Sequence, residues 1–413
     1  MKMVSKLAIA MALSLGVSAT PALAQKKDDK APAIKVSEEF RKPAEAARVA
    51  IGAKDWATAD TQLTAAEAVA KNDDEKNYAQ ILRFEVEVNR NPRNNQRLIA
   101  AADAMLANPA APQANLRAYN FYRGQASFEL KQYAQAEPFL VKAREQGMNS
   151  PDLSLMLAQI YDSTNRRPQG VAEMAKVIEA VKASGQPVQE SWYRWAVGRV
   201  AATGDRSALA DWQLRQIRDF PTLANWRQII IQYRNSAGTG GAQLDRNAKL
   251  DIYRLLRGTG AMADLNDYLD YASLAQSAGL PQEALAVLDE GRKAGKIPGG
   301  EPTAAQIERL SKDSAAKDGS PDALAKAAKS GKEQASVGDL FAATGNYPRA
   351  IELYQTALSG GAPADQTNLH LGVALAKAGR KDEAKAALAK VQAAPLNDIA
   401  KYWTLWLDLP PLQ

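Results

Sequence analysis

One pattern of small and bulky positions recurs along this chain. A small residue is followed three positions later by a second, usually larger, residue, nine further on by another small one, and four beyond that by a bulky one. The clearest copies are Gly338, Phe341, Ala350, Tyr354 and Gly372, Leu375, Ala384, Leu388. Ala350 and Ala384 are 34 residues apart. Gly124, Ser127, Ala136, Leu140 and Ala158, Tyr161, Gly170, Met174 repeat the same step. The spacing predicts two antiparallel helices per copy, crossing where the small residues lie so that their backbones approach. Turns are expected at Gly345-Asn346-Tyr347 and Gly379-Arg380-Lys381.

Other segments carry the pattern more loosely. They include Ala47, Trp56, Ala59 and Leu63 near the start; Trp192, Trp195, Ala196, Ala208 and Trp212; and Tyr268, Tyr271, Ala272, Ala284 and Leu288. Tyr78–Asn89 and Asn95–Asn108 read as a further helix pair. Hydrophobic residues are 46% of the chain, many of them alanine, which favours helix because it loses no side-chain entropy there. The nearest approach to a β-branched run, Gln228-Ile229-Ile230-Ile231, sits within helical patterning. The expected fold class is all-α: an α-solenoid, or superhelix, of antiparallel helix pairs.

These copies resemble the tetratricopeptide repeat family, whose period is 34 and whose pattern runs W-x2-L-G-x2-Y, then A-x3-F, then P. Leu371-Gly372, Gly338-x2-Phe341, Ala158-x2-Tyr161, Trp192-x2-Trp195 and Ala350-x3-Tyr354 match parts of it. The resemblance implies that the first helix of each pair lines a groove for an extended peptide or a partner's helix. Carried onto this chain, the groove-facing residues are Phe121, Gln125, Phe128 and Glu129, then Leu155, Gln159 and Asp162, then Tyr193 with Val197. Amides would bond a peptide backbone and aromatics would take its side chains; the alternative is that Phe121 and Phe128 pack between repeats. The family's Lys-x3-Asn and Lys-x3-Arg clamp for a terminal carboxylate does not occur here.

Six segments are expected. Residues 1–24 read as a signal peptide: Lys2 and Lys6, an apolar run Leu7–Val17, and an Ala22-Leu23-Ala24 cleavage site. Its apolar run is shorter than the ~20 residues a membrane span needs. Its bacterial character places the mature protein in the periplasm or outside the cell. Residues 25–36 are a polar leader, and 37–300 hold N-terminal repeats. Residues 301–332 are an irregular segment, either a joint or an exposed helix pair; 333–395 are two clear repeats. Residues 396–413 form a capping helix and tail, with Asn397 or Asp398 as cap and Ile399, Tyr402, Trp403, Trp406 and Leu407 on one face. That face either covers the last repeat, as solenoid ends require, or is a docking site. The insertion Ser236–Gly241 stretches one repeat.

Composition then narrows the chemistry. No cysteine is present, which removes disulfides, thiolate nucleophiles and Cys-ligated metal sites. The net charge of +6 falls to about +4 without the leader's two lysines. No concentrated basic stripe is present, so nucleic acid is not an expected partner; weak attraction to anionic polysaccharide is compatible. His370 is the one histidine, so a Ser-His-acid triad or a two-histidine metal site cannot be built without it or from it alone. It reads as a packing or surface residue. Gly238-x-Gly240-Gly241 and Gly258-x-Gly260 lack the form of phosphate loops and read as interhelix loops. Gln189-Glu190-Ser191 resembles the Glu-Ser of the soluble lytic transglycosylases, but Glu190 opens a repeat helix and their Gly-Leu-Met-Gln-type segment is missing. No cofactor, metal site or catalytic residue is therefore expected, and no membrane-spanning segment after signal removal. The reading is a periplasmic or secreted scaffold that binds a protein or peptide in envelope assembly or secretion. The alternatives are a repeat component of a polysaccharide export system and a glycan-acting enzyme.

Overall fold

The computed structural model describes residues 36–236 and 243–410. The leader at 1–24, the polar stretch 25–35, positions 237–241 of the insertion with the glycines expected there, and Pro411 lie outside these residues. Among the described residues the chain is helical, with 21 α-helices and no strand. It divides into two compact units between Val188 and Gln189.

The first unit stacks four helix pairs. They are α1 and α2 (Glu38–Gly52, Trp56–Val69), α3 and α4 (Asp73–Asn89, Asn95–Ala107), α5 and α6 (Leu116–Glu129, Tyr133–Glu145), and α7 and α8 (Pro151–Ser163, Arg167–Ala183). Helix α3 starts on a reciprocal cap: Asn72 accepts from the Glu75 N–H, and the Glu75 carboxylate accepts from Asn72. First helices also touch in two places, α1 with α3 and α5 with α7.

The second unit begins with α9 (Glu190–Ala201), α10 (Arg206–Asp219), α11 (Leu223–Asn235) and α12 (Arg246–Gly258). Next come α13 (Leu265–Ser277), α14 (Pro281–Lys293), α15 (Pro302–Asp318) and α16 (Pro321–Ala327). It ends with α17 (Gly331–Ala343), α18 (Tyr347–Ser359), α19 (Ala364–Lys377), α20 (Lys381–Leu388) and α21 (Leu396–Asp408). Residues 302–327 are thus mostly helical: α15 packs on α13 and α14, and α16 on α17. Gly258 ends α12 rather than lying in the loop its Gly-x-Gly spelling suggested, and the Trp403 ring occupies the space of its absent side chain.

The small positions work as the spacing predicts. A Cβ on Gly124 would lie 2.7 Å from Leu140 Cγ, one on Gly338 2.7 Å from Tyr354 Cε1, and one on Gly372 2.6 Å from Leu388 Cγ. Each glycine faces the bulky residue that closes its own copy. In α13 and α14 the order is reversed, with Gly291 of the second helix against the Tyr268 ring of the first. The turns keep the same period. Lys131 and Asn165, one step of 34 apart, hold φ of 61°, and Gly345 and Gly379, again 34 apart, hold φ of 81° and 77°. Glycine adopts that left-handed conformation without the steric cost that Lys131 carries.

Helix α21 covers the last pair and also reaches the unit's early helices. Trp406 and Leu407 pack on the core of α17 to α20, while Ile399, Tyr402 and Trp403 are buried. The Tyr402 hydroxyl donates to Gln213 of α10. Asp398 does not cap the helix as expected; the helix starts one turn earlier, after Pro395. Its carboxylate is instead buried, accepting from Tyr233 at 2.9 Å and Ser207 at 3.1 Å. Asn397 donates to the Val391 carbonyl. A helix with polar groups on two neighbours and aromatics between them ties the ends of the unit together.

Candidate functional site

Two regions are candidates for engaging another molecule. In the first unit they are the faces of α5 and α7. Phe121 is half-buried and packs against the cores on both sides of it, edge-on to Tyr122. Phe128 is half-buried beside Tyr133. Gln125 is buried, and its Oε1 has no hydrogen-bond donor among the described residues. Glu129 is exposed and pairs with Arg93 at 3.2 Å. Leu155 and Asp162 are half-buried and Gln159 is exposed. Tyr193 lies in the second unit, fully buried, its hydroxyl on Asp219 and its ring edge-on to Trp212 and Phe220. It has no surface to offer a ligand.

The second region went unread in the sequence. It is a cavity of about 300 Å³ inside the second unit, walled by α12, α13, α14, α17, α18, α19 and α21. Residues seven apart, two helical turns, build it in two tiers. On α12 these are Asp251 and Gly258, on α14 Glu283 and Glu290, and on α19 His370 and Lys377.

The first tier is a closed ion network. Arg254 holds Glu283 by two parallel bonds of 2.9 and 2.8 Å and donates to Asp251 Oδ1 at 2.8 Å. His370 lies between two carboxylates, Nδ1 2.7 Å from Asp339 and Nε2 3.0 Å from Asp251. Tyr354 and Tyr271 each donate at 2.6 Å, to Asp339 and Glu283. Burial alone would lower the His370 pKa, but Asp339 and Asp251 outweigh it and push it up to about 10. The raised pKa favours an imidazolium at neutral pH, against the like charge of Arg254, whose Nη1 lies 3.0 Å from Nε2. Asp339, whose burial would raise it, is instead brought down to about 2 by His370 and Arg254. A histidine so placed cannot accept a proton near pH 7, so it is a structural cation rather than a general base.

The second tier is Arg257 with Glu290 at 2.7 Å, and Lys377. The Lys377 ammonium donates to the Gly258 carbonyl at 3.0 Å and lies over the rings of Trp403 and Trp406, 5.7 and 4.9 Å from their centroids. Burial and then the nearby Arg257 lower its pKa. The wall between the tiers is apolar: Ala342, Ala343, Val373 and Ala374.

Glu190 opens α9, where its charge complements the helix dipole. Burial would raise its pKa, but hydrogen bonds from Arg194 and Gln216 hold it below the usual carboxylate value, the opposite of what a glycosidase's general acid needs. Among the described residues no three His, Cys, Asp or Glu side chains are grouped to hold a metal ion, and no helix is long and apolar enough to cross a membrane.

Fold and sites together define an all-α repeat protein built of stacked helix pairs. Residues 341–406 match the family described as tetratricopeptide repeat, which is where the 34-residue pattern was clearest. No curated protein matches the chain. Several solved structures are similar to it. A Rap protein complexed with competence and sporulation factor is 13% identical, over 86% of this chain and 100% of that one, with a TM-score of 0.26. The pentatricopeptide repeat protein PPR10 from maize is 14% identical, over 89% and 62%, with a TM-score of 0.30. Naa15/Naa10 bound to HypK-THB is 12% identical, over 86% and 64%, with a TM-score of 0.28. This chain spans less than two thirds of the last two chains, and at these scores none of the three bears on function.

Proposed function

We propose that the protein is an exported scaffold that holds an extended segment of a partner protein along the first-helix face of its first unit, in envelope assembly or secretion. The observation that carries this is the joined face of α5 and α7. Side chains of mixed character lie there on two touching helices, Glu129 and Gln159 exposed and Phe128 and Leu155 half-buried. An extended peptide suits such a face: its backbone can bond the exposed Gln159 amide while its side chains lie beside Phe128 and Leu155. The residues proposed for contact are Phe121, Gln125, Phe128, Glu129, Leu155, Gln159 and Asp162. Export rests on the leader-like first 24 residues.

The test is a photocrosslinker at Gln159, an exposed position, in cells that make the full chain. One specific protein should be captured, and Phe128→Ser with Leu155→Ser should lose it while keeping the helical circular dichroism. Capture of glycan instead would transfer the reading to polysaccharide export, and capture of nothing would refute it. Sequencing the mature N-terminus tests export: the scaffold reading expects Gln25 first, and an intact Met1 contradicts it.

A further inference from the structure

We propose that the cavity in the second unit binds a small free zwitterion, about as long as a tripeptide, with its ammonium at Asp251 and its carboxylate at Lys377. The site is separate from the face of α5 and α7, and the two readings stand or fall independently.

The argument begins with direction. His370 meets Asp251, and Lys377 meets the Gly258 carbonyl. Both contacts join residues 119 positions apart in sequence. Helices α12 and α19 therefore run side by side in the same direction, in register, over two turns. Seven residues at 1.5 Å each separate the tiers by about 10 Å along the helices.

The tiers differ in charge. The first holds Asp251, Glu283 and Asp339 against Arg254 and the His370 imidazolium, leaving one negative charge in excess. The second holds Arg257 and Lys377 against Glu290, leaving one positive charge in excess. The cavity is thus neutral in sum and dipolar along its length.

Each pole has one group whose needs the protein leaves unmet. Asp251 is 3% exposed, and its Oδ1 takes both Arg254 and His370, while Oδ2 is buried with no hydrogen-bond donor among the described residues. A buried carboxylate oxygen without a donor is destabilising, and a ligand N–H group brought to it would relieve that. At the other pole the half-buried Lys377 has a carbonyl and two indole faces, and among the described residues no carboxylate lies within ion-pair distance of it, the Glu290 charge reaching it only from further away. An ammonium at one end and a carboxylate at the other meet both needs at once. The separation of about 10 Å equals roughly three extended residues at 3.3–3.6 Å each. The apolar wall of Ala342, Ala343, Val373 and Ala374 suits small side chains between the charged ends, and about 300 Å³ lies at the lower end of small-molecule pockets.

Titration calorimetry of the full chain with tri-alanine tests this. Saturable binding is expected, and N-acetylation or C-terminal amidation of the probe should each weaken it about tenfold or more, since each removes a charge-assisted hydrogen bond. Lys377→Met should weaken tri-alanine by a similar factor while leaving the affinity for the amide unchanged, a coupling that general misfolding does not produce. Asp251→Asn should do the same for the acetylated probe; Lys377→Met, at a half-exposed position, keeps the test valid if that buried change unfolds the unit. Phe128→Ser should bind tri-alanine like the parent, separating this site from the face on the first unit. No saturable binding by folded parent protein would overturn the proposal, as would equal affinity for the blocked and free peptides.

Discussion

Glycine is ordinarily a cost inside a helix, and replacing it by alanine gains about 0.5–1 kcal/mol. Two helical glycines of the second unit should respond to that change with opposite signs. Gly198, in α9, has nothing within 4 Å of where a Cβ would sit. Gly198→Ala should therefore stabilise the unit by about 0.5–1 kcal/mol. On Gly338 the same Cβ would lie 2.7 and 2.9 Å from two carbons of the Tyr354 ring. That ring cannot swing aside: Tyr354 is fully buried, its hydroxyl held by Asp339 at 2.6 Å and its edge toward His370. Overpacking of this kind costs about 1–3 kcal/mol. With the propensity gain set against it, Gly338→Ala should destabilise by about 0.5–2 kcal/mol. Urea unfolding of the two variants beside the parent reads both signs, provided the slopes match. If Gly338→Ala stabilised the protein as Gly198→Ala does, the small residues would not be fixing the helix crossings, and the reading of the 34-residue pattern would fail.

Other perturbations follow from the same packing. Trp403→Ala removes a ring that is fully buried and fills the space beside Gly258, so chemical unfolding should show a loss of about 3–5 kcal/mol; a loss below about 1 kcal/mol would mean that α21 does not hold the unit. Lys131→Gly relieves a left-handed residue at about 1–2 kcal/mol but adds chain entropy to the unfolded state, for a net gain of about 0.5–1 kcal/mol; a lower melting temperature for this variant would contradict that. The His370 pKa is raised on folding, from 6.5 to about 10, so its contribution is complete below pH 6.5 and is lost as pH rises through about 10. Asp339 has the opposite sign, with a contribution complete above pH 3.8 and lost as pH falls through about 2. The stability gap between parent and His370→Gln should accordingly be widest near pH 6 and narrow toward pH 10; a gap that widens with pH would reverse the assignment.

The helix pairs could be read from the sequence because their determinants are local. Gly124 and Leu140, or Gly372 and Leu388, lie sixteen residues apart and belong to one hairpin. The segment 301–332 was harder. Its lysines, aspartates and alanines suit either a joint or a helix, and Ser320 and Glu301, which cap α16 and α15, resemble ordinary loop residues. The cavity was not legible. Its spacing was visible, since Asp251 and Gly258, Glu283 and Glu290, and His370 and Lys377 each stand seven apart. What brings those pairs together is a contact across 119 residues, which no local period records. The same reason explains Asp398. Its position near the start of α21 suggested a helix cap, but its partner Tyr233 is 165 residues away.

The most direct measurement uses the fact that the chain has one histidine. Nitrogen-15 NMR of the imidazole, followed from pH 5 to pH 10.5, reports His370 without ambiguity of assignment. A closed second unit, with α12 and α19 joined through Asp251, His370 and Asp339, predicts two protonated ring nitrogens at pH 7 and a titration midpoint near 10. A midpoint near 6.5, with one nitrogen unprotonated at pH 8, would mean that the ring is not held between the two carboxylates and that the cavity does not exist in the form described.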